Sequence, residues 1–449
     1  MKHMRLGITF LVIGLAFAGP ANASEAITEQ IQNLTNEMKK MRQDYESRIS
    51  DLQAEVKKLQ KNQAKELAKV EEKADEVHER FDVDYVGRQN GPFEKGGLIV
   101  REHSGFGNVS LGGYADIELE NFQNRNSTFD QHRWIINVGA EIGERLRFYS
   151  EYEIEHGGPS AGGEAKVEQA WIDFLIHDAV NLRAGALLVP FGRYNLYHDS
   201  DLQDLTDRPL VNRDVIPTTW TESGAGIWGE FNPQIGEYED TTVGYEFYFV
   251  NGLDEGFSDT GLRGARGSIE TDNNNQKALV GRLAVSPAIG HELGLSGYWG
   301  EFNGNRDDIT GFGIDWFTSW GPLEFIGEYA YFNISQLELS DRAVTDEAQG
   351  FYLQTNYHFW AEFLDDTFLG RAFDNPTFTL VGRYGWVNID DDGDAGTGDN
   401  SEQRWTLGIN YRPVESWVLK LEYQNNASRI EALERGNDEG FIASIAMGF

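Results

Sequence analysis

Cysteine is absent from all 449 residues, which removes disulfides, thiolate nucleophiles, Cys-ligated zinc and haem attachment through C-x-x-C-H together. Lysine is nearly absent from the larger part of the chain: beyond residue 80 there are four (Lys95, Lys166, Lys277, Lys420) against 21 Arg. Residues 1–80 carry 13 Lys and Arg against 13 Asp and Glu, so the formal net charge of −35 falls entirely on residues 81–449. Such an acidic surface argues against nucleic acid as a partner, because phosphate neutralisation needs the opposite sign. No G-x-x-x-x-G-K-[ST] or H-E-x-x-H motif occurs. His198-Asp199-Ser200 contains the residue types of a hydrolase triad, but chain neighbours do not make triad geometry. No enzyme, no cofactor and no metal site is expected.

Long apolar runs are missing too. The longest, Leu6 to Ala18, follows Lys2 and Arg5 and precedes Ala21-Asn22-Ala23, an A-x-A cleavage signal, so residues 1–23 read as a secretory signal peptide with the mature chain starting near Ser24. The run is shorter than the roughly 20 residues a membrane helix needs. A mean hydropathy of −0.48 does not exclude a membrane barrel, whose strands need one apolar face only.

Residues 24–81 are expected to form a periplasmic coiled coil. From Ala26 to Phe81 there is no Gly or Pro, and apolar residues fall at Ile27, Ile31, Leu34, Met38 and Met41, then Ile49, Leu52, Val56 and Leu59. The 4,3 spacing is a heptad seam, interrupted by two 4,4 steps that read as stutters. A seam this narrow cannot be buried alone, so it calls for self-association with other copies, the alternative being a lone helix folded back on its own protein. Residues 82–108 contain Gly87, Gly91, Pro92, Gly96, Gly97, Gly105 and Gly107 and read as a hinge or linker.

From Val109 the period becomes two. Val109, Leu111, Ile117 and Leu119 alternate with Ser110, Asp116, Glu118 and Glu120; Trp134, Ile136 and Val138 alternate with Arg133, Asn137 and Glu141. Sixteen such strands are predicted, near 109–121, 131–142, 145–156, 164–177, 180–189, 223–232, 241–251, 277–286, 291–303, 309–319, 322–333, 348–360, 376–388, 402–412, 415–426 and 439–449. The expected fold class is all-β: a 16-strand antiparallel transmembrane β-barrel over 109–449, preceded by the α-helical coiled coil. A soluble sandwich would show the same alternation. The final strand alternates to Phe449, resembling the assembly signal of outer-membrane barrel proteins. Gly143-Glu144 and Trp320-Gly321-Pro322 read as periplasmic turns, and the polar runs 252–276, 334–347 and 389–401 as outside loops.

One stretch breaks the alternation. Leu187 to Phe231 holds a run of Asp, Arg, Tyr and Pro too long for an ordinary connection. Within it Val189-Pro190-Phe191-Gly192, Asp207-Arg208-Pro209-Leu210 and Gly224-Ala225-Gly226 resemble the central region of the phosphate-selective porin family of Gram-negative outer membranes. Arg383-Tyr384 and Phe449 are similar to that family as well, and the resemblance covers roughly residues 109–449. It implies a trimeric 16-strand barrel, an inward-folded third loop that narrows the lumen, and an anion pathway lined by Arg and Lys.

The expected function is passive diffusion of small hydrophilic, phosphate-like anions. The candidate constriction residues are Arg193, Tyr194, Tyr197, Asp201, Asp204, Asp207, Arg208, Arg213 and Asp214. Arg suits bidentate recognition of phosphate or carboxylate, yet these Arg side chains equally suit stapling the loop to neighbouring Asp. The same two readings hold for the inward strand residues Arg133, Arg147, Arg183, Arg282, Arg383 and Arg404, a conducting ladder or partners of Glu118, Glu141, Glu151, Glu153, Glu246 and Glu328. Residues 388–399 partly mimic a calcium-binding EF-hand loop but read as a solvated acidic loop. Expected partners are two further copies in a homotrimer, outer-membrane lipid, small hydrophilic solutes and, through the coiled coil, the cell wall. Two other readings stay open: a barrel sheathing a partner electron-transfer protein, and an envelope tether anchored by the barrel.

Overall fold

A computed structural model describes residues 20–87, 90–91, 93–103, 105, 107–158, 162–233, 241–258, 260–335, 346–390, 400–428 and 437–449. Most of the expected signal peptide and residues 391–399 of the EF-hand-like run lie outside the described residues. The chain separates into two compact units, Met1–Glu79 and Arg80–Phe449.

The first unit is one helix, α1 (Pro20–Arg80). Its Ala, Glu, Lys, Gln and Leu are strong helix formers, and Pro opens it where a missing N–H costs nothing. The seam residues, from Ile27 and Ile31 to Leu67 and Val70, are all exposed. What the sequence reads as a coiled coil is, in one chain, a single helix with its apolar stripe bare.

The second unit begins with two short strands, β1 (Phe81–Val86) and β2 (Gly97–Glu102), inside the stretch expected as a hinge. They pair with each other, and β2 pairs with the start of the next strand from Leu98↔Leu111 to Arg101↔Asn108. Sixteen strands follow: β3 (Gly107–Phe122), β4 (Thr128–Ile142), β5 (Leu146–Glu155), β6 (Glu164–His177), β7 (Val180–Leu188), β8 (Thr221–Phe231), β9 (Thr242–Val250), β10 (Ala278–Ala288), β11 (His291–Glu301), β12 (Asp308–Trp320), β13 (Leu323–Ile334), β14 (Glu347–Phe359), β15 (Thr377–Asp390), β16 (Asn400–Arg412), β17 (Trp417–Ser428) and β18 (Asp438–Gly448). Each pairs antiparallel with its chain neighbours, and β18 returns to β3 from Gly440↔Phe122 to Gly448↔Tyr114, closing the barrel. Closure leaves no strand edge within this ring.

Burial settles sandwich against barrel. Val109, Leu111, Ile117, Trp134, Ile172, Phe249 and Leu407 are exposed on the outer face, while Asp116, Arg133, Glu151, Glu153, Asp173, Asp315, Glu328 and Glu402 are buried inside. Apolar outside and ionic inside is the arrangement that lipid selects.

The lumen is not uniformly wet, however. A buried apolar cluster joins Val189, Phe191, Leu210, Val215 and Trp220 of the β7–β8 connection to Tyr298, Phe332, Tyr352 and Val387 of the wall. The run after β9, expected as an outside loop, folds back into the same cluster through Leu253, Phe257, Leu262 and Ala265. Each fully buried side chain of this size contributes on the order of 1.5–3 kcal/mol to holding these connections in place.

Register shifts also break the strict parity, two of them beside the lumen-side clusters described below. The β3–β4 register shifts between Asp116 and Glu118, and β5–β6 shifts between Glu151 and Tyr152. A bulge turns two consecutive residues towards one face, and His132 with Arg133, and Glu168 with Gln169, both engage lumen-side carboxylates or side chains.

Candidate functional site

The β7–β8 connection, residues 189–220, is built on a stem closed by one side chain. Buried Asn195 donates from Nδ2 to the carbonyls of Val189 (2.8 Å) and Trp220 (3.2 Å) and accepts at Oδ1 from the Trp220 N–H (2.9 Å). Just before it, Gly192 has φ 73°, and a Cβ there would lie 2.1 Å from Glu328 Oε1, so only glycine fits. The chain then makes a short helix, α2 (Arg193–Leu196).

Beyond α2 the connection crosses to the far wall through polar contacts. Glu328 of β13 accepts from the Tyr194 N–H (3.0 Å) and Asn212 Nδ2 (2.9 Å). Asp204 accepts from Asn356 of β14 (2.7 Å) and Asn410 of β16 (3.0 Å). Lys420 of β17 donates to the Ser200 carbonyl (2.7 Å), the Thr206 N–H donates to Glu422 (2.7 Å), and the Thr206 hydroxyl meets Ser444 of β18 (2.8 Å). From the other side, Lys95, between β1 and β2, reaches Asp199 at 2.7 Å.

Most of the sequence-derived Arg residues are tied by these networks. Arg193 pairs with Glu292 (3.1 Å) and stacks over Tyr197, with its guanidinium 4.5 Å from the ring centre. Arg213 binds Asp214 with two N–H donors (2.7 and 2.6 Å) and also reaches Glu402 (2.7 Å). On the wall, Arg133 meets Glu153 (3.2 Å), Arg147 meets Glu141 (3.3 Å), Arg183 meets Asp173 (2.7 Å), Arg282 meets Asp315 (2.6 Å) and Arg404 meets Asp207 (3.0 Å). Arg383 donates to the Asp207 carbonyl, and Arg412 to that of Asp201 (2.7 Å). Tyr194 is buried and Tyr197 is exposed. His198 is held by the Asn195 carbonyl (2.9 Å) and Glu168 (3.1 Å), which leaves the run His198-Asp199-Ser200 without a triad-like hydrogen bond from histidine to serine. Burial disfavours the charged His198 ring, and the Glu168 carboxylate overrides this and raises its pKa.

Three guanidinium groups are different. Arg208 and Arg263 both donate to the Thr218 carbonyl, and Arg266 donates to the Thr219 carbonyl at 2.9 Å. None of the three makes an ion pair among the described residues. Burial and the neighbouring Arg133 push the Arg208 pKa down; burial, then Arg208 and Arg266, do the same to Arg263; burial, then Arg208, to Arg266. Like charges whose hydrogen bonds, among the described residues, go to backbone carbonyls make a site short of negative charge. Beside them is a cavity of about 390 Å³ whose lining includes Arg133, Arg208, Arg213, Arg263 and Arg404 against Glu155, Asp207 and Asp214.

Arg208 stands among the sequence-derived candidates. Arg263 and Arg266 do not, because the run 252–276 reads as a solvated loop. The signal available in the sequence is Leu262-Arg263-Gly264-Ala265-Arg266, two Arg set among apolar residues in an otherwise acidic chain.

Comparison with known proteins agrees with this architecture. Residues 107–319 match the family described as phosphate-selective porin O and P. A protein of Aquifex aeolicus (strain VF5), described as uncharacterized, is 30% identical over 348 residues, which cover 70% of this chain and 75% of that one. Among solved structures, Salmonella typhi OmpF in complex with daunomycin aligns with a TM-score of 0.52 at 12% identity, covering 77% of this chain and 99% of that one. The loop L8 deletion mutant of OmpT, an outer membrane protein of Vibrio cholerae, aligns with a TM-score of 0.50 at 11% identity, covering 77% and 100%. At such identities the structural likeness speaks for the fold. The chain belongs to the phosphate-selective porin family and is an outer-membrane β-barrel channel, not an enzyme.

Proposed function

We propose that the channel passes small hydrophilic anions of the phosphate type by passive diffusion, with residues 189–220 as the constriction and Arg208, Arg263 and Arg266 as the groups that select the sign of charge. The observation that carries this is the absence, among the described residues, of an ion-pair partner for these three Arg side chains. A total charge of −35 does not contradict it. Low-dielectric walls focus the local field at a narrowing, so the groups there outweigh distant ones. The acidic groups beside the other Arg residues are already neutralised in pairs.

Bilayer measurements of the purified channel across a salt gradient test this. The zero-current potential is expected to take the sign of anion preference, and phosphate is expected to reduce chloride current by competing at the Arg cluster. A cation-selective potential overturns the proposal.

In this reading the mature chain starts near Ser24 and α1 is periplasmic, which is supported by the entry of the chain into β3 at the end of the strands where the turns Gly143-Glu144 and Gly321-Pro322 are short. The exposed seam of α1 supports a three-helix coiled coil fixing a homotrimer, with the outer apolar face in lipid and the helix tip near the cell wall. Removing residues 26–79 is expected to lower the temperature at which the trimer dissociates on semi-native gels, with single-channel conductance unchanged. An unchanged dissociation temperature would leave the helix to the envelope-tether role.

A further inference from the structure

The extracellular ends of β4 and β5 carry a second constellation, different in chemistry from the Arg cluster although His132, Glu155 and His156 line the same cavity as Arg208 and Arg263. The β3–β4 bulge turns His132 towards the lumen. Across the strand pair, the His156 N–H donates to the His132 carbonyl (3.0 Å), and His156 has φ 51°, a left-handed conformation unusual for a residue with a side chain. These two irregularities set the imidazoles face to face, 5.4 Å between ring centres.

Each ring is held by its Nδ1. His132 Nδ1 lies 2.6 Å from Glu118 Oε1, and His156 Nδ1 lies 2.7 Å from Asp130 Oδ2. A carboxylate on Nδ1 fixes the tautomer with Nε2 as the free donor pair, the orientation that histidines take when they ligate a metal. His132 Nε2 is 3.6 Å from Glu155 Oε1, close to the roughly 3.4 Å between ligand atoms that each sit about 2.1 Å from a tetrahedral zinc ion. Ligand atoms of His132, Glu155 and His156 all fall within 4.8 Å of one another.

We propose that His132, Glu155 and His156 form a binding site for a zinc-like divalent transition-metal ion, oriented by Glu118 and Asp130, with its fourth position open to the vestibule. Cations share the cavity: Lys166 Nζ binds the other Glu155 oxygen, Oε2, at 3.1 Å, Arg133 lies 3.9 Å from Oε1, and Arg208 and Arg263 line the same space. Against the two rings themselves stand carboxylates, Glu118 at 2.6 Å, Asp130 at 2.7 Å and Asp116 at 3.5 Å, so the side of the cavity that would hold the ion is its acidic one. Two imidazoles and one carboxylate suit zinc rather than calcium, which prefers oxygen alone.

The test is calorimetric titration of the purified full-length channel with Zn²⁺, alongside the visible spectrum with Co²⁺ in its place. One equivalent per chain and a tetrahedral cobalt spectrum are expected. His156→Ala should abolish both, Asp130→Asn should weaken zinc binding by about 10–100-fold through loss of the orienting bond, and His358→Ala, on β14, should change neither. His156 and Asp130 lie at the rim, so these variants carry the test even if His132→Ala fails to assemble. Absence of saturable binding, or equal binding by His156→Ala, overturns the site.

Discussion

Replacing Arg208, Arg263 and Arg266 together with alanine is expected to move the zero-current potential by tens of millivolts, through zero and into cation preference. The ceiling is set by the roughly 59 mV per tenfold gradient of a monovalent ion, and a porous channel uses part of it. The direction follows from what remains. With the three guanidinium groups that lack an ion pair among the described residues gone, the cavity beside them keeps Arg133, Arg213 and Arg404, which are tied to Glu153, Asp214 and Asp207. The loss is then of net positive charge, not of a neutral pair. Arg306→Ala is the control, since Arg306 is exposed and only 3.9 Å from Glu301; it should leave the potential in place. Phosphate competition against chloride should vanish in the triple variant. If the potential stays put, the three Arg side chains serve only to hold the Thr218 and Thr219 carbonyls.

Trp220→Ala is expected to free the constriction from the wall while the barrel survives. Trp220 is fully buried, with ring centres of Tyr298 at 5.1 Å and Phe191 at 6.2 Å, and its Nε1–H donates to Glu222 at 3.0 Å. Truncating a buried tryptophan costs about 3–5 kcal/mol, enough to release a connection even though the strand ladders, which do not depend on it, stay paired. Single-channel conductance should rise, proteolytic cleavage within residues 189–220 should appear, and heat-modifiable migration on gels should persist. Conductance equal to that of the native channel would mean that residues 189–220 do not limit the flow.

The barrel is legible in the sequence because lipid imposes a rule on alternate residues: all sixteen strands appear as alternations, and Arg133, Arg183, Arg282 and Arg404 face inward as their parity requires. What is not legible is non-local. Arg213 and Arg208 look alike in the sequence, yet one meets Glu402, far along the chain, and the other meets a backbone carbonyl. Leu253, Phe257, Leu262 and Ala265 follow no period, so the burial of the run after β9 leaves no pattern to read. His132 and Glu168 depend on bulges, which single-residue parity misplaces. Likewise the glycine-rich stretch 82–108 hides Leu98, Ile99 and Val100, whose pairing with β3 needs the partner strand to be known.

The anchoring of residues 189–220 also fixes an order of events in biogenesis. The segment emerges with β7, but its partners Glu328, Asn356, Asn410, Glu422 and Ser444 are all supplied by later strands, the last of them by β18. Contacts so distant along the chain form late, since loop closure must precede their reward. The connection is therefore fixed in place only as the last strand docks onto β3, and a nascent barrel still lacking its seam is an open sheet with this segment unanchored.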